Sequence, residues 1–223
     1  MRFRRITLFA GHYGSGKTNL AINYALRLRR SVEKVAICDL DIVNPYFRTK
    51  DSEDVFSKAG IRFISSAYAN SNLDVPAIPP EAYAIIHEKD LFSVVDVGGD
   101  DRGALALGRY SPAILEEDNY EMFLVVNKYR PLTQEGAGAF DILREIEAAS
   151  GLRFTAIINN SNLGIETAPD DVLGSIDYTR EISRLAGLPV KYTSIREDLL
   201  PALQGKIENL FPITLFGKPQ WYV

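Results

Sequence analysis

The stretch that decides the fold is "GHYGSGKTNL", residues 11–20, between the apolar run "ITLFA" and the helical pattern "AINYALRLRR". It fits the pattern G-x-x-x-x-G-K-[ST] at every fixed position. The residues at those positions are Gly11, Gly16, Lys17 and Thr18. A strand before the pattern and an amphipathic helix after it are the context that this motif requires. The stretch therefore predicts a loop that binds phosphate groups.

The contacts of this loop with a nucleotide follow from its residue types. Glycines let backbone N–H groups curl around phosphates, and the N-terminus of the following helix adds partial positive charge. We expect Lys17, as a catalytic residue, to reach the β- and γ-phosphates, and the Thr18 hydroxyl to ligate Mg²⁺. The predicted nucleotide-binding residues of the stretch are Gly11, Gly14, Ser15, Gly16, Lys17, Thr18 and Asn19.

Short β-branched runs alternate with helical patterns along the rest of the chain. Several runs are apolar at successive positions, which is typical of strands buried on both faces of a parallel sheet. The predicted strands are 4–10, 34–40, 61–66, 91–97, 120–126, 153–159 and 188–194, and the main predicted helices are 18–30, 133–149 and 169–186. We predict an α/β fold: a single P-loop NTPase domain over residues 1–223, with a mostly parallel seven-stranded sheet and helices on both faces. Residues 205–223 are expected to pack on this domain.

Composition narrows the class of partner. The 25 Lys+Arg against 29 Asp+Glu give a net charge of −4, so no basic field argues for nucleic acid. Neither a secretory signal nor an apolar run of about 18 residues is found, so we expect a cytoplasmic protein without stable membrane insertion. Cys38 is the only cysteine, and one thiol cannot hold an iron–sulfur cluster within one chain. The residues near the C-terminus are aromatic but interrupted by Pro212 and Pro219, which disfavours a membrane-binding helix.

Carboxylates follow two of the predicted strands. "AICDLDI" places Asp39 and Asp41 on one face by the two-residue period of a strand, and "SVVDVGGDD" ends another strand with Asp96. Because the C-terminal ends of parallel strands meet at one edge of a sheet, all three carboxylates are expected to face the phosphates. Carboxylates there can hold Mg²⁺ or its waters and orient an attacking water.

With these motifs the sequence resembles the MinD/ParA/nitrogenase-iron-protein group of P-loop NTPases, the class that also holds the CobQ/CobB-type ligases. "DLDIVNP" resembles the start of that group's switch I, and "VVDVGG" resembles its switch II strand. Residues 120–162 are similar in layout to the nitrogenase iron protein. "SIRED" (194–198) is similar to the segment beside the base in MinD-like ATPases.

The resemblance implies roles for individual residues. Asp41 matches the switch I residue that activates water, and Asp39 and Asp96 match outer-shell Mg²⁺ partners, so the implied metal residues are Thr18, Asp39 and Asp96. Asn160 matches the asparagine that recognises the adenine base, and Asn159 is the alternative candidate for this contact. The implied cofactors are ATP and Mg²⁺, and Arg196 of "SIRED" is placed among the nucleotide-binding residues.

The chain departs from this group at two places. MinD and ParA carry a lysine directly after the first P-loop glycine, where it reaches across an ATP-bound dimer; here that position is His12. A neutral imidazole cannot replace a fixed cation, which puts such a dimer in doubt. Arg48 and Arg102 are candidate replacements for this cation. The single Cys38 excludes the cluster chemistry of the nitrogenase iron protein; Cys38 is expected to be a buried strand residue and His87 a surface residue.

Three other functions stay open. A GTP-dependent metallochaperone would select guanine with N-K-x-D, but this chain has "NKYR" at 127–130, and Arg130 has no acceptor. A small ATP-dependent ligase resembling dethiobiotin synthetase would hold a carboxylate substrate with Arg48, Arg109 or Tyr110. A nucleotide-dependent interaction module with slow turnover is the third. The favoured function is a Mg²⁺-dependent ATPase acting as a switch on an unidentified protein partner or in a homodimer.

Overall fold

The computed structural model describes residues 3–40, 50–65, 80–99 and 101–216. Within these ranges eight strands form one sheet. Their bounds are β1 Ile6–Ala10, β2 Val35–Leu40, β3 Arg62–Ser65, β4 Phe92–Val97, β5 Tyr120–Val126, β6 Ala156–Asn159, β7 Val190–Arg196 and β8 Leu210–Ile213. The spatial order is β3-β2-β4-β1-β5-β6-β7-β8, and each described pairing is parallel. The predicted α/β fold with a parallel sheet is confirmed.

Helices cover both faces of this sheet. In the described ranges they are α1 Lys17–Arg29, α2 Lys50–Ala59, α3 Ala84–His87, α4 Asp101–Gly108, α5 Ser111–Glu117, α6 Gly136–Ser150, α7 Pro169–Leu173, α8 Ile176–Ala186 and α9 Leu200–Leu203. Alternate residues of β1 enter different cores: Ile6 and Leu8 join the core under α3–α6 and α8, whereas Phe9 joins the core under α1 and α2. This two-sided burial explains why the strands read as continuous apolar runs.

The predicted seven-stranded sheet lacks one strand that the structure has. β8 lies within the stretch 205–223, which the sequence suggested only as a packing segment. Its register places Pro212 opposite Ile195 of β7. Proline has no N–H to donate, so within a sheet it is tolerated at an edge strand, and β8 is one of the two edge strands of the described sheet.

The helix predicted over 169–186 is two helices, α7 and α8, separated at Gly174 and Ser175. Ser175 is fully buried, and its hydroxyl donates to the carbonyl of Val172 at 2.7 Å. A serine hydroxyl that bonds the nearby backbone competes with the helical hydrogen bonds. The same hydroxyl accepts a bond from Asn159 at 2.8 Å, which ties the break to the end of β6.

A buried arginine contacts several elements where the parallel strands begin, at the end of the sheet opposite the P-loop. Arg5 donates to the carbonyls of Ile85, Glu88 and Leu91 at 2.7, 3.2 and 3.1 Å, and it forms an ion pair with Glu117 of α5. Its side chain is 3% exposed and that of Glu117 is 13% exposed. The hydrogen bond from Arg5 is the main cause that lowers the pKa of Glu117 below its ordinary value.

Candidate nucleotide-binding site

The loop between β1 and α1 has the backbone that a phosphate cradle needs. Gly11, Gly14 and Gly16 adopt φ values of +146°, +76° and +87°. A Cβ atom at Gly11 would lie 2.4 Å from the carbonyl oxygen of Val125, and one at Gly16 would lie 2.3 Å from the Asn160 amide nitrogen. These positions therefore admit only glycine. Gly16 is the N-cap of α1, and no described side chain caps it, so the helix N-terminus faces the loop.

Lys17 and Ser15 occupy the inside of this loop. Lys17 is 5% exposed, and its ammonium group donates to the carbonyl of His12 at 3.2 Å. The Ser15 hydroxyl is buried and has no hydrogen-bond partner among the described residues. A buried hydroxyl without a partner is costly, and a phosphate oxygen is a suitable acceptor. The loop therefore fits a phosphate group.

The turn after β4 packs directly on the P-loop. A Cβ atom at Gly99 would lie 2.6 Å from the backbone nitrogen of Tyr13 and 3.0 Å from the Lys17 ammonium nitrogen. Gly98 is approached as closely, because a Cβ at Gly103 of α4 would lie 2.6 Å from its Cα. Gly99 thus permits contact between the turn after β4 and the loop, and Gly98 permits close packing of α4 on that turn. A larger side chain at Gly99 would displace the loop or the lysine.

Two buried carboxylates lie on the β2–β4 side of the loop. Asp39 and Asp96 are register partners on adjacent parallel strands and are 4% and 2% exposed. The Thr18 hydroxyl donates to Asp96, which fixes the orientation of the hydroxyl. The pKa of the buried Cys38 thiol is raised, first by burial and then by the charges of Asp39 and Asp96. Of the three carboxylates predicted to meet at this edge, Asp39 and Asp96 lie together beside Thr18, and Asp41 lies outside the described residues.

This arrangement suits a cation that takes part of its coordination from a ligand. Among the described residues, no group of three or more His, Cys, Asp or Glu could hold a metal by itself. Mg²⁺ is usually held by one or two protein oxygens together with waters and substrate phosphates, so the set Thr18, Asp39 and Asp96 fits it. Magnesium binding by these residues stays a prediction.

Amide side chains lie on the opposite side of the loop, towards β6 and β7. Asn160 is 2% exposed; its amide nitrogen donates to the carbonyl of Ser15 at 2.6 Å, and its amide oxygen accepts a bond from Ser194 of β7. Asn159 donates to Ser175 and accepts a bond from the Ser161 N–H at 3.1 Å. Both predicted base-reading amides are therefore engaged inside the protein, Asn160 as a support of the P-loop. A contact of either with the base stays a prediction.

Two other predicted nucleotide contacts also have partners within the protein. The Arg196 guanidinium forms two bonds to Asp198, at 2.8 and 2.6 Å, and donates to the carbonyls of Gly164 and Ile165. This ion pair raises the pKa of Arg196 and lowers that of Asp198. The Asn19 side chain accepts a bond from the Phe216 N–H at 2.7 Å. Arg196 therefore orders the loop after β6, and Asn19 holds the segment after β8.

Arg130 is a neighbour of the P-loop that the sequence did not suggest. It lies in the loop after β5, and its Nε donates to the carbonyl of Gly14 at 2.8 Å. From the sequence, Arg130 was interpreted only as a side chain that cannot accept hydrogen bonds from guanine. Its position four residues after a strand adjacent to β1 was the available signal, because loops that follow neighbouring parallel strands meet at the same edge.

Other predicted residues have mixed outcomes. Asp41 and Arg48 lie outside the described residues, as does the side chain of Arg102. Cys38 is buried and His87 is exposed, as predicted. Of the candidates that the ligase alternative offered for a carboxylate substrate, Tyr110 is 2% exposed and packs against Tyr83, whereas Arg109 is exposed. The described helices include none that is long and apolar enough to span a membrane.

The comparisons with known proteins concern the fold. No family model matches the sequence, and no curated protein matches it. The cell division protein FtsY of Thermotoga maritima has a TM-score of 0.59 at 19% identity, over 88% of this chain and 63% of that chain. The signal recognition particle receptor FtsY of Elizabethkingia anophelis in complex with GDP has a TM-score of 0.52 at 18% identity, over 87% and 58%.

A third structure is similar: the signal recognition particle 54 kDa protein of Aeropyrum pernix in complex with GDP, with a TM-score of 0.52 at 17% identity, over 86% of this chain and 41% of that chain. The chain thus spans less than two thirds of the length of these neighbours. It has the fold of the P-loop NTPases. At 17–19% identity the likeness shows the fold alone, and it gives no specific support to the MinD/ParA group that the sequence resembles.

Proposed function

We propose that this chain is a Mg²⁺-dependent ATPase whose nucleotide state controls its binding to a protein partner or to a second copy of itself. The observation that carries the proposal is the P-loop, which is closed around Lys17 and contains the buried Ser15 hydroxyl without a described partner. Its glycine backbone, its helix N-terminus and the adjacent Thr18–Asp96 pair support a polyphosphate ligand.

The two sides of the loop suggest how a nucleotide lies. Thr18, Asp39 and Asp96 are on the β2–β4 side, where a metal ion and the terminal phosphates belong. The nucleoside then extends towards the ends of β5, β6 and β7. When bound, Mg²⁺ neutralises charge that develops on the phosphate oxygens. Lys17 contacts the β- and γ-phosphates, Thr18 supplies a hydroxyl oriented by Asp96, and Asp41 orients the attacking water.

We expect ATP to bind more tightly than GTP. Guanine presents N–H groups that can donate hydrogen bonds to a carboxylate. Residues 156–165 contain no Asp or Glu, and the side chain of Arg130 has no acceptor atom. The carboxylate of nearby Asp198 is paired with Arg196. Competition of ATP and GTP for a fluorescent nucleotide measures the preference. GTP binding more than tenfold tighter, about 1.4 kcal/mol, would overturn the assignment of adenine.

Lys17→Ala should weaken ATP binding about 10- to 150-fold, because a hydrogen bond to a charged group contributes about 1.5–3 kcal/mol. The fold should persist, since Lys17 is the first residue of α1 and does not belong to the hydrophobic cores on the two faces of the sheet. Titration calorimetry with ATP and Mg²⁺, together with a melting curve, tests both statements. Lys58→Ala, which removes an exposed lysine of α2, is the matched control. Equal ATP affinity of a folded Lys17→Ala variant and the control would contradict the proposed function.

A further inference from the structure

Arg130 contacts the P-loop, and hydrogen bonds hold the backbone around it. Its Nε is 2.8 Å from the Gly14 carbonyl oxygen, and a Cβ at Gly14 would meet the Nε and Cδ atoms of Arg130 at 3.5 and 3.6 Å. The backbone around it is fixed, because the Arg130 N–H donates to Asn127 at 3.2 Å and the Thr133 N–H donates to the Arg130 carbonyl at 3.0 Å. The Thr133 hydroxyl also donates to the Asn127 carbonyl at 3.0 Å.

Most of the hydrogen-bonding capacity of this guanidinium is unused. Arginine carries five N–H donors, and only the one on Nε has an acceptor among the described residues. The described part of the chain provides no carboxylate within ion-pair distance of Arg130, whereas Arg5 and Arg196 both have one. The residue is exposed, so its charge is available to a ligand. A planar guanidinium with free donors is suited to phosphate oxygens.

The Gly14 bond also determines where that charge lies. Arg130 and Asn160 hold two consecutive carbonyls of the loop, those of Gly14 and Ser15. Because the C=O and N–H of a trans peptide point in opposite directions, the bond from Asn160 to Ser15 turns the N–H of Gly16 away from Asn160. By the same rule, the bond from Arg130 to Gly14 turns the N–H of Ser15 away from Arg130, and this N–H donates to the His12 carbonyl at 3.2 Å. Arg130 is thus fixed to the loop through a carbonyl, on a single hydrogen bond from its Nε. Its guanidinium is held next to the loop without help from the ligand.

We propose that Arg130 is a phosphate-binding residue of this site: Nε holds the P-loop, and the two terminal nitrogens bind the polyphosphate chain of the nucleotide. This proposal rests on the proposed function. Arg130 is then a second fixed positive charge of the site beside Lys17, supplied by the same chain. A fixed cation of this kind stabilises phosphate charge without the cost of reorganising a mobile side chain.

The test separates phosphate binding from simple support of the loop. Arg130→Gln keeps an amide donor for the Gly14 carbonyl but removes the charge, and Arg130→Lys keeps the charge without the fork of donors. Arg144→Gln, an exposed position on α6, is the control with the same loss of charge. Dissociation constants for ATP and ADP are measured at low and high salt, with melting temperatures of all variants.

We expect Arg130→Gln to weaken ATP binding about 10- to 150-fold and to reduce the salt dependence of the affinity. Arg130→Lys should lie between this variant and the wild type, and Arg144→Gln should match the wild type. If folded Arg130→Gln binds ATP and ADP within twofold of the wild type, Arg130 only supports the loop and the proposal is wrong. A wild type that binds neither ATP nor GTP would instead overturn the proposed function itself, and this proposal with it.

Discussion

Asp41→Asn should bind ATP as tightly as the wild type and hydrolyse it about 10²- to 10⁴-fold more slowly, the usual effect of losing a positioned base. Asparagine keeps the shape of the side chain, but it lacks the charge that polarises the attacking water. Single-turnover hydrolysis and an ATP titration measure the two quantities separately. The prediction rests on the sequence, where Asp41 follows Asp39 by two residues after β2.

Asp39→Asn is the internal comparison for this prediction. Asp39 is buried beside Asp96, which accepts the Thr18 hydroxyl, so its replacement should raise the Mg²⁺ concentration needed for half-maximal turnover more than it lowers turnover at saturating Mg²⁺. Wild-type hydrolysis by Asp41→Asn together with slow hydrolysis by Asp39→Asn would mean that the two roles are exchanged. Wild-type rates in both variants would leave neither carboxylate with a catalytic role.

A variant that binds ATP without hydrolysing it also gives access to the partner. If nucleotide state acts as a switch, the mass of the Asp41→Asn protein in solution, or its capture of a partner, should differ between ATP and ADP. His12 bears on a change of mass through self-association, because it stands where the resembling group has the lysine that reaches across the dimer. Its Nδ1 lies 2.9 Å from the Tyr13 carbonyl oxygen, and the residue is only partly buried.

Arg5→Ala should lower the free energy of unfolding by up to about 3–5 kcal/mol, because it removes the buried partner of Glu117 and leaves this carboxylate with only the exposed Lys89 among the described residues. The variant would also remove the Arg5 donor from three carbonyls, of which that of Glu88 keeps the N–H of Leu91. Urea denaturation at neutral pH measures the change. Arg62→Ala is the matched control: its ion pair with Glu88 is exposed, at 44% and 45%, and should contribute about 0–1 kcal/mol. Equal effects of the two substitutions would contradict the role assigned to Arg5.

The same ion pair predicts the direction of a pH effect. The pKa of Glu117 is lowered from 4.5 by hydrogen bonds from Arg5 and Lys89. A carboxyl group with a lowered pKa in the folded state stabilises that state above its unfolded pKa, and this contribution is lost as the pH falls through the folded pKa. The free energy of unfolding of Glu117→Gln, measured by urea denaturation, should therefore depend less on pH than that of the wild type as the pH falls from the unfolded to the folded pKa of Glu117.

The elements that depend on local patterns were predictable from the sequence. The strand over 120–126 has the predicted bounds, and the helix after the P-loop is displaced by one residue, to Lys17–Arg29. β8 was missed because Pro212 argues against a strand unless the strand is known to lie at an edge. Edge position is a property of the whole sheet, which no local pattern contains.

The partners of the site residues were less predictable, because they are distant in the chain. Asn160 bonds Ser15 across 145 residues, and Arg130 bonds Gly14 across 116 residues. The sequence indicated that Asn160 lies at the end of a strand, but it did not place Arg130 near the P-loop. It could not show that the Asn160 amide is satisfied by the protein itself, since that depends on the register of β6 and β7.

A chain of hydrogen bonds connects the P-loop to the edge strand β8 and to Thr214, which follows it. Ser15 is bonded to Asn160, which is bonded to Ser194 of β7, and β7 pairs with β8. After β8, the Thr214 N–H and carbonyl bond Asn23 of α1, the helix that leaves the P-loop. These links form a closed ring, so a shift of the first turn of α1 on phosphate binding must either strain β8 or carry it along. A label near residue 214 would therefore report events at the loop, although the two are separated by almost the whole chain.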